Sequence, residues 1–407
     1  MAALDWIDGG GITSPAGFRA GGVYTGIKHY GDEPRLDLGV LAWGDPTQVA
    51  GVFTNNAVVG EAVTWNRAIL GAGRPAGALV CNSGNANTVT GEQGMRDARR
   101  MAELTAVRLG LKPEEVLLGS TGVIGRMLPM ERIEGGIRDI ALSEDGGAAF
   151  ARAIMTTDPR PKEFAARARI GGTTYTIGAC AKGSGMIHPN MGTMFAFMTT
   201  DAPAAPAWLQ STLRAVTDRT FNMIDIDMDT STSDTALLIS SGAAGGAPFD
   251  GAHPHAPEFA DAIVAVARRL ARAIARDGEG AHALIEVVAQ GAAGVEDARR
   301  AARTVASSPL VKTMVVGRDP NWGRVMMAAG RSGARVDQRN ASVWIGDHCV
   351  LERGQPASVD LRLVSQAMGV DEVRIRIDLG AGGEHSAVAW GCNMTSDYVS
   401  INADYTT

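Results

Sequence analysis

The sequence has few cysteines and no long apolar segment, and these two absences exclude several classes of protein. Its four cysteines lack CxxC spacing, so they predict neither a zinc site nor a disulfide framework but reduced, mostly buried thiols. No apolar run approaches the ~18 residues that a membrane-spanning helix needs. The first twenty residues also lack the basic-then-apolar layout of a signal peptide. We therefore expect a cytoplasmic protein that has no membrane partner.

The usual nucleotide, metal and nucleophile motifs are missing as well. There is no GxxxxGK[ST] phosphate loop, no HExxH zinc motif, and no GxSxG or SxxK nucleophile. His188 follows Gly183-Ser184-Gly185 where a dinucleotide-binding loop would need a glycine, and the seven histidines show no metal-ligand spacing. An enzyme with this sequence must therefore use another chemistry, and we expect no metal and no cofactor.

Acidic and basic residues nearly balance. The formal net charge is −6 and the isoelectric point is near 5.7, which gives no reason to expect a nucleic-acid partner. The 407 residues are too many for one ordinary domain, and 45% of them are apolar, which suits two closely packed domains with a large core. Glycine is abundant, with 51 residues, and several of these glycines form clusters that fit tight turns and close backbone approaches.

Apolar periodicity predicts an interleaved order of strands and helices, hence an α/β protein or a mixed layered sandwich. The strand at 116–118 should run into a glycine-containing loop at 120–125. The clearest helix, at 257–276, has Pro257 in its first turn. Further helices are predicted at 95–109, 145–155 and 295–305, and further strands at 40–43, 49–53, 78–81, 194–198, 283–289, 313–316 and 373–379.

One segment, residues 181–201, carries chemical information. A glycine-rich loop with a single lysine leads to Gly192-Thr193 and then to an apolar strand. The simpler interpretation is a buried strand with a glycine-rich approach. The alternative is self-cleavage, in which the Thr193 hydroxyl attacks the Gly192 carbonyl, the acyl group shifts from nitrogen to oxygen, and water releases a chain that begins with Thr193. The new α-amine, with an unperturbed pKa of about 8, could then serve as the base for the Thr193 hydroxyl.

The same segment resembles the signature of the ornithine acetyltransferase family, the bifunctional glutamate N-acetyltransferases of the cyclic arginine pathway. The resemblance extends over essentially the whole chain, and other matching segments are 11–18, 82–87, 120–125, 155–158, 229–232, 319–324 and 398–407. It implies a layered α-β-β-α sandwich of the ornithine acetyltransferase/DmpA type, with a smaller C-terminal α/β lobe at roughly 283–390. It also implies cleavage into an α chain, 1–192, and a β chain, 193–407, assembled as a heterotetramer of two α and two β chains.

The resemblance implies ping-pong acyl transfer. Thr193 would take the acetyl group from N2-acetyl-L-ornithine, release L-ornithine, and pass the acetyl group to L-glutamate, in arginine biosynthesis. The Thr121 hydroxyl and the Gly122 N–H would form the oxyanion hole. The implied substrate contacts include Lys182, whose ammonium suits a carboxylate, and Glu279, whose carboxylate suits an amine. The full implied set of substrate contacts is Thr156, Lys182, Thr193, Glu279, Asn402 and Thr407.

Several alternatives stay open at the level of sequence. The same nucleophile could serve an amidohydrolase or aminopeptidase, and a folded binding module descended from the family is a third hypothesis. The sequence does not say whether acetyl-CoA is a second acetyl donor. The chain also departs from the family in three places: Gly192 replaces a common alanine, Asn56 is followed by Ala57 rather than arginine, and 228–233 reads Met-Asp-Thr-Ser-Thr-Ser.

Overall fold

The computed structural model describes residues 4–28, 35–188 and 194–404. In these ranges the strands, in chain order, are β1 (Leu4–Ile7), β2 (Arg19–Val23), β3 (Leu38–Thr47), β4 (Val49–Phe53), β5 (Ala76–Asn85), β6 (Val116–Val123), β7 (Lys162–Ile170), β8 (Thr173–Lys182), β9 (Phe195–Thr200), β10 (Ile224–Asp225), β11 (Thr235–Ser240), β12 (Leu284–Ala292), β13 (Ser342–Ile345), β14 (His348–Glu352), β15 (Gln355–Pro356), β16 (Glu372–Asp378) and β17 (His385–Cys392).

The helices alternate with these strands along most of the chain. They are α1 (Glu61–Gly71), α2 (Gly91–Leu109), α3 (Met130–Asp139), α4 (Gly147–Ala153), α5 (Pro206–Arg219), α6 (Ala256–Arg276), α7 (Val295–Ser307), α8 (Pro309–Gly317), α9 (Trp322–Gly330), α10 (Leu361–Ala367) and α11 (Ser396–Asp404). Helix α2 ends where Gly110 takes a left-handed conformation (φ +71°), which glycine adopts without a steric penalty.

Two sheets packed face to face form the first half of the fold. A four-stranded sheet has the order β2-β3-β5-β6, and a six-stranded sheet has the order β1-β7-β8-β9-β11-β4. Because side chains alternate along a strand, Leu79 of β5 faces the core between the sheets, together with Phe195 and Phe197 of β9, while Val80 faces outwards. Helices α2 and α3 cover the outer face of the smaller sheet, and α5 and α6 cover that of the larger. The predicted α-β-β-α sandwich is therefore confirmed.

A seven-stranded sheet makes up the rest of the fold, in the order β10-β17-β12-β16-β13-β14-β15. Helix α7 packs on β12 and β17, while α6 contacts β7 and β8 of the six-stranded sheet as well as β12 and β17. The apolar core on the outer side of the six-stranded sheet is thus continuous with the core of the seven-stranded sheet. Helix α6 joins the two parts through a single hydrophobic interior.

Two local predictions were wrong. Residues 313–316, predicted as a strand, lie in helix α8, where Pro309 occupies the first turn and Val311, Met314 and Val315 are buried at helical spacing. A four-residue apolar run cannot be assigned by periodicity alone, and here the preceding Ser-Pro pair begins a helix. The predicted loop at 120–125 is mostly strand, since β6 continues to Val123 in parallel pairing with β5.

The strand register brings several chain ends together. Lys182, the last residue of β8, pairs with Phe195, the first residue of β9, and Phe195 pairs on its other side with Thr235, the first residue of β11. The Thr235 N–H also donates to the Met194 carbonyl at 2.9 Å. These three strand ends form one row across the six-stranded sheet. In the described ranges, no helix is both long and apolar enough to cross a membrane.

Candidate active site

A cleft opens at this row of strand ends, opposite the end of β6. Strands β6 and β8 come from different sheets, so the cleft lies where the two layers of the sandwich meet. Six residues proposed from sequence line it, namely Thr121, Gly122, Thr156, Lys182, Glu279 and Asn402. They come from segments far apart in the chain, and folding brings them into one cavity.

Lys182 is the central cation of the cleft. Its side chain is buried, and its Nζ donates a hydrogen bond to Thr121 Oγ1 at 3.1 Å. Burial lowers the pKa of Lys182 below its ordinary value, while the carboxylates of Asp158 and Asp234 act in the opposite direction. The Lys182 ammonium is thus held in a water-poor site, where an anionic ligand would find a strong partner.

The end of β6 places Thr121 and Gly122 beside Lys182. Gly122 has φ +124°, and an added Cβ would lie 2.3 Å from the backbone carbon of Gly84 on the neighbouring strand β5. Only glycine fits this combination of left-handed backbone and close strand approach. The buried Ser120 hydroxyl donates to Asn82 Oδ1 at 2.6 Å and ties the same two strands together. The strand end is therefore firmly constrained.

The cleft also carries an acid, Glu279. Glu279 follows α6, is buried, and its N–H donates to the Ser184 carbonyl at 2.8 Å. Asn402 of α11 donates from Nδ2 to Glu279 Oε2 at 2.9 Å. This contact seats the C-terminal helix on the cleft, as a substrate-binding role for Asn402 would require.

Asp158 holds the backbone directly after Lys182. Its Oδ1 accepts from the Gly183 N–H at 2.6 Å and its Oδ2 accepts from the Thr156 N–H at 3.0 Å. Burial opposes ionisation of Asp158, yet the ammonium groups of Lys162 and Lys182 hold its pKa well below the usual range. Thr157, next to Thr156, also lines the cleft and shares a 2.7 Å hydrogen bond with the Ser184 hydroxyl.

Among the cleft residues that were not predicted from sequence, three carry acidic or phenolic groups: Asp227, Asp234 and Tyr398. Asp227 accepts the N–H groups of Met186 and Ile187 at 2.6 and 2.8 Å, and burial raises its pKa despite these hydrogen bonds. Tyr398 donates to Asp227 at 3.4 Å, and Asp234 precedes β11. Asp234 and Tyr398 stand next to or inside segments that matched the family, and that position was the available signal for them.

The remaining predicted site residues, Gly192, Thr193 and Thr407, lie outside the described residues. The described chain resumes at Met194, which lines the cleft together with Phe195. Within the described part of the chain, no group of three His, Cys, Asp or Glu residues could hold a metal ion. All four cysteines are free thiols, and Cys81, Cys180 and Cys392 are buried, as expected.

Known proteins resemble this chain along its whole length. The ArgJ family profile matches residues 19–407. The arginine biosynthesis bifunctional protein ArgJ of Symbiobacterium thermophilum is 50% identical over 406 residues, which cover 99% of this chain and 100% of that protein. The protein of the same name from Dehalococcoides mccartyi is 46% identical, with 100% of both chains covered. The crystal structure of ArgJ from Bacillus halodurans aligns with 52% of this chain and 100% of its own, at 40% identity and a TM-score of 0.51.

Fold and cleft together define an α/β-sandwich enzyme with a small, charged site between a buried ammonium and a buried carboxylate. Such a site suits a compact molecule that carries both charges, as an amino acid does. Since the family match covers nearly the whole chain and its relatives match from end to end, this chain belongs to the ArgJ family.

Proposed function

We propose that this chain transfers the acetyl group of N2-acetyl-L-ornithine to L-glutamate through an acetyl ester on Thr193, giving L-ornithine and N-acetyl-L-glutamate in arginine biosynthesis. The observation that carries the proposal is the cleft, which Lys182, Glu279 and the first residue of β9, Phe195, line together. Thr193 lies two residues before β9 in the sequence. The names of the relatives, which refer to arginine biosynthesis, favour substrates of that pathway.

The reaction divides into two acyl transfers. The Thr193 hydroxyl attacks the acetyl carbonyl while the Thr193 α-amine takes the hydroxyl proton, and collapse of the tetrahedral intermediate releases the ornithine amine with that proton. The α-amine of glutamate then attacks the ester and restores the threonine hydroxyl. Each intermediate carries an oxyanion, for which we assign the Thr121 hydroxyl and the Gly122 N–H as donors. This reaction uses no metal and no cofactor.

The nucleophile is produced, in this proposal, by cleavage between Gly192 and Thr193. The products are an α chain of 192 residues and a β chain of the remaining 215 residues. Two facts support the cleavage: the Gly-Thr pair follows a glycine-rich loop, and the Bacillus halodurans chain matches over its entire length while covering 52% of this one. That share is close to the part of the chain that follows Gly192.

The charged groups of the cleft set the orientation of the substrate. We assign the α-carboxylate of the substrate to Lys182 and the side-chain amine of acetylornithine to Glu279. Thr156, Asn402 and the terminal Thr407 complete the proposed contacts. A buried cation and a buried anion that line one cleft favour one orientation of a molecule with one carboxylate and one amine.

A hydrolase that uses the same nucleophile differs only in the acceptor, which would be water instead of glutamate. The relatives are named for biosynthesis, which favours the amine acceptor, and they are named bifunctional. We therefore propose that acetyl-CoA is a second acetyl donor, as a co-substrate rather than a bound cofactor.

The proposed assembly is a heterotetramer of two α and two β chains, with a smaller lobe at roughly 283–390, and the proposed compartment is the cytoplasm. Free thiols support this location, because Cys81 and Cys180 are both buried and unpaired, as is usual in a reducing compartment.

The proposed function is tested by two measurements on one preparation. A denaturing gel should show bands of about 20 and 22 kDa, in proportion to the lengths of the two parts of the 42.4 kDa chain. N-terminal sequencing of the larger band should begin at Thr193. Acetylornithine alone should release about one ornithine per site in a burst, and glutamate should make the release continuous. Thr193→Ala, the matched control, should stay uncleaved and inactive. Continuous release without glutamate would instead identify a hydrolase, and intersecting double-reciprocal lines would contradict the acetyl-Thr193 intermediate.

A further inference from the structure

Behind the cleft lies a cluster of three buried charges that has no assigned role in the reaction. Lys162, at the start of β7, places its Nζ 2.7 Å from Asp158 Oδ1 and 2.6 Å from Asp277 Oδ2. The side chain of Lys162 is 2% exposed, that of Asp158 is 0% exposed and that of Asp277 is 3% exposed. Arg160 reaches the outer side of the cluster, with its Nε 2.9 Å from Asp277 Oδ1. Lys162 is thus a single buried cation between two buried carboxylates.

One carboxylate of this cluster holds the cationic side of the cleft. Asp158 accepts the N–H of Gly183, the residue directly after Lys182, through the same Oδ1 that contacts Lys162. Its other oxygen accepts the N–H of Thr156. Asp158 therefore ties the backbone directly after Lys182 to the segment that carries Thr156, another residue of the cleft.

The other carboxylate holds the acidic side. Asp277 stands at the C-terminal end of α6, two residues before Glu279. The two sides also meet directly, because the Glu279 N–H donates to the Ser184 carbonyl and a Cβ on Gly185 would lie 2.5 Å from the Glu279 carboxylate. The backbone that carries Glu279 is therefore packed tightly against the loop that follows Lys182.

We propose that Lys162 is a positioning residue that fixes the separation between Lys182 and Glu279, and thereby sets the length of the amino-acid side chain that the cleft accepts. This inference rests on the proposed function, in which Lys182 binds the carboxylate and Glu279 the side-chain amine. When a substrate is bound at both charged ends, the distance between Lys182 and Glu279 determines which side-chain length fits. One methylene more or less then breaks one of the two contacts.

Loss of the Lys162 charge should alter this distance for an electrostatic reason. Asp158 would keep only the nearby charge of Lys182, and Asp277 only its ion pair with the exposed Arg160. Without a cation between them, the two buried carboxylates would repel each other and push apart the segments that carry Lys182 and Glu279. A larger separation between Lys182 and Glu279 should weaken the binding of the substrate of matching length more than the binding of a longer homologue.

The test compares N2-acetyl-L-ornithine with N2-acetyl-L-lysine, its homologue with one more methylene. In the wild-type enzyme we expect kcat/KM to favour acetylornithine by about 10- to 200-fold, the usual range for one methylene. In Lys162→Met the preference should fall to less than about 3-fold, mainly through a higher KM for acetylornithine. Asp277→Asn preserves shape but weakens the ionic contact between Lys162 and the segment that carries Glu279, so it should reduce the preference in the same direction. It replaces Lys162→Met should that variant fail to fold. Lys162→Arg should restore most of the preference.

The matched control is Glu286→Gln, which removes another buried carboxylate with two arginine partners, on β12 away from the cleft. It should leave the preference unchanged in cleaved, folded protein. An unchanged preference in both Lys162→Met and Asp277→Asn, an equal loss in Glu286→Gln, or a wild-type preference near one would overturn the inference while leaving the proposed function intact. A wild-type enzyme that releases no ornithine from acetylornithine would overturn the proposed function itself.

Discussion

At the scale of the single residue, Lys28 shows how a buried charge makes stability depend on pH. The side chain is 4% exposed, and its Nζ donates to the Leu36 carbonyl at 2.8 Å. Burial lowers the pKa of Lys28 to about 8, although the carboxylates of Asp37 and Asp158 act in the opposite direction. In the unfolded chain the pKa returns to 10.5. Between these values the unfolded state binds more protons than the folded state, so stability rises with pH.

We predict that the wild-type protein gains stability relative to Lys28→Met as the pH rises from 8 to 10.5. The expected gain is about 3 kcal/mol, the free energy that corresponds to this pKa difference. Below pH 8 Lys28 is charged in both states, so the difference between the two proteins should be constant there. Thermal unfolding of both proteins over this pH range measures the effect.

The exposed Lys112 provides the control for this prediction. Lys112→Met should track the wild-type protein across the same pH range. A constant difference between wild type and Lys28→Met from pH 8 to 10.5 would contradict the assigned cause.

Some of these residues could be predicted to lie together and others could not. Lys182 and Glu279 entered through family segments and a glycine-flanked position, and both line the cleft. Asp158 also stands in a matching segment, but its contacts with Lys162 and Gly183 depend on how the loop before β7 folds back on the end of β8. Such contacts join residues that no local pattern connects, so the charge cluster behind the cleft could not be derived from sequence.

At the scale of the secondary-structure element, the end of β6 determines the geometry of the proposed oxyanion hole. Periodicity predicted the beginning of this strand but ended it at 118, because the run 119–122 has no apolar side chain that would reveal a strand. Parallel pairing with β5, which aligns Gly84 with Gly122, carries the strand onward. The extension depends on a partner strand and is therefore a property of the sheet rather than of the local sequence.

We predict that Gly122→Ala lowers both stability and turnover, because a Cβ would lie 2.3 Å and 2.4 Å from the backbone carbon and oxygen of Gly84. The strands must separate to admit it, which would displace the Gly122 N–H. Gly125→Ala is the matched control, since Gly125 also has a left-handed backbone (φ +81°) but has open space around its Cβ position. It should cost only about 1–2 kcal/mol, the price of the backbone conformation alone. Thermal unfolding and turnover are measured on both variants. Equal losses of stability and turnover in Gly122→Ala and Gly125→Ala would contradict this explanation.

At the scale of the whole molecule, the proposed cut falls inside one continuous sheet. In the six-stranded order β1-β7-β8-β9-β11-β4, the strands β9 and β11 follow Thr193 in sequence, whereas the strands on both sides of them precede it. Strand β9 pairs with β8 along its length, and β11 pairs with β4 from Thr235 to Ile239. The two halves of the chain are therefore interleaved.

We predict that the two cleaved chains stay together without a covalent bond. Size-exclusion chromatography in native buffer should give one species that resolves into two bands only on a denaturing gel. The interface includes backbone pairing on both edges of β9–β11 and a shared core around Phe195 and Phe197, which dilution or salt should not disrupt. Separate elution of the two chains in native buffer would show that the sheet does not hold them.

The position of β4 next to β11, at the edge of the sheet, has a consequence for how the protein folds before and after the proposed cleavage. In the uncut chain, β4 and β11 belong to one molecule and their encounter is intramolecular. The proposed cut would place them on separate chains, which would have to meet in solution. Unfolded mature protein would thus regain its structure at a rate that depends on concentration, while newly made precursor would fold at a rate that does not. In the proposed maturation, the uncut chain would therefore help the two halves to meet only once, before cleavage, and a mature enzyme that unfolds later would refold without that help.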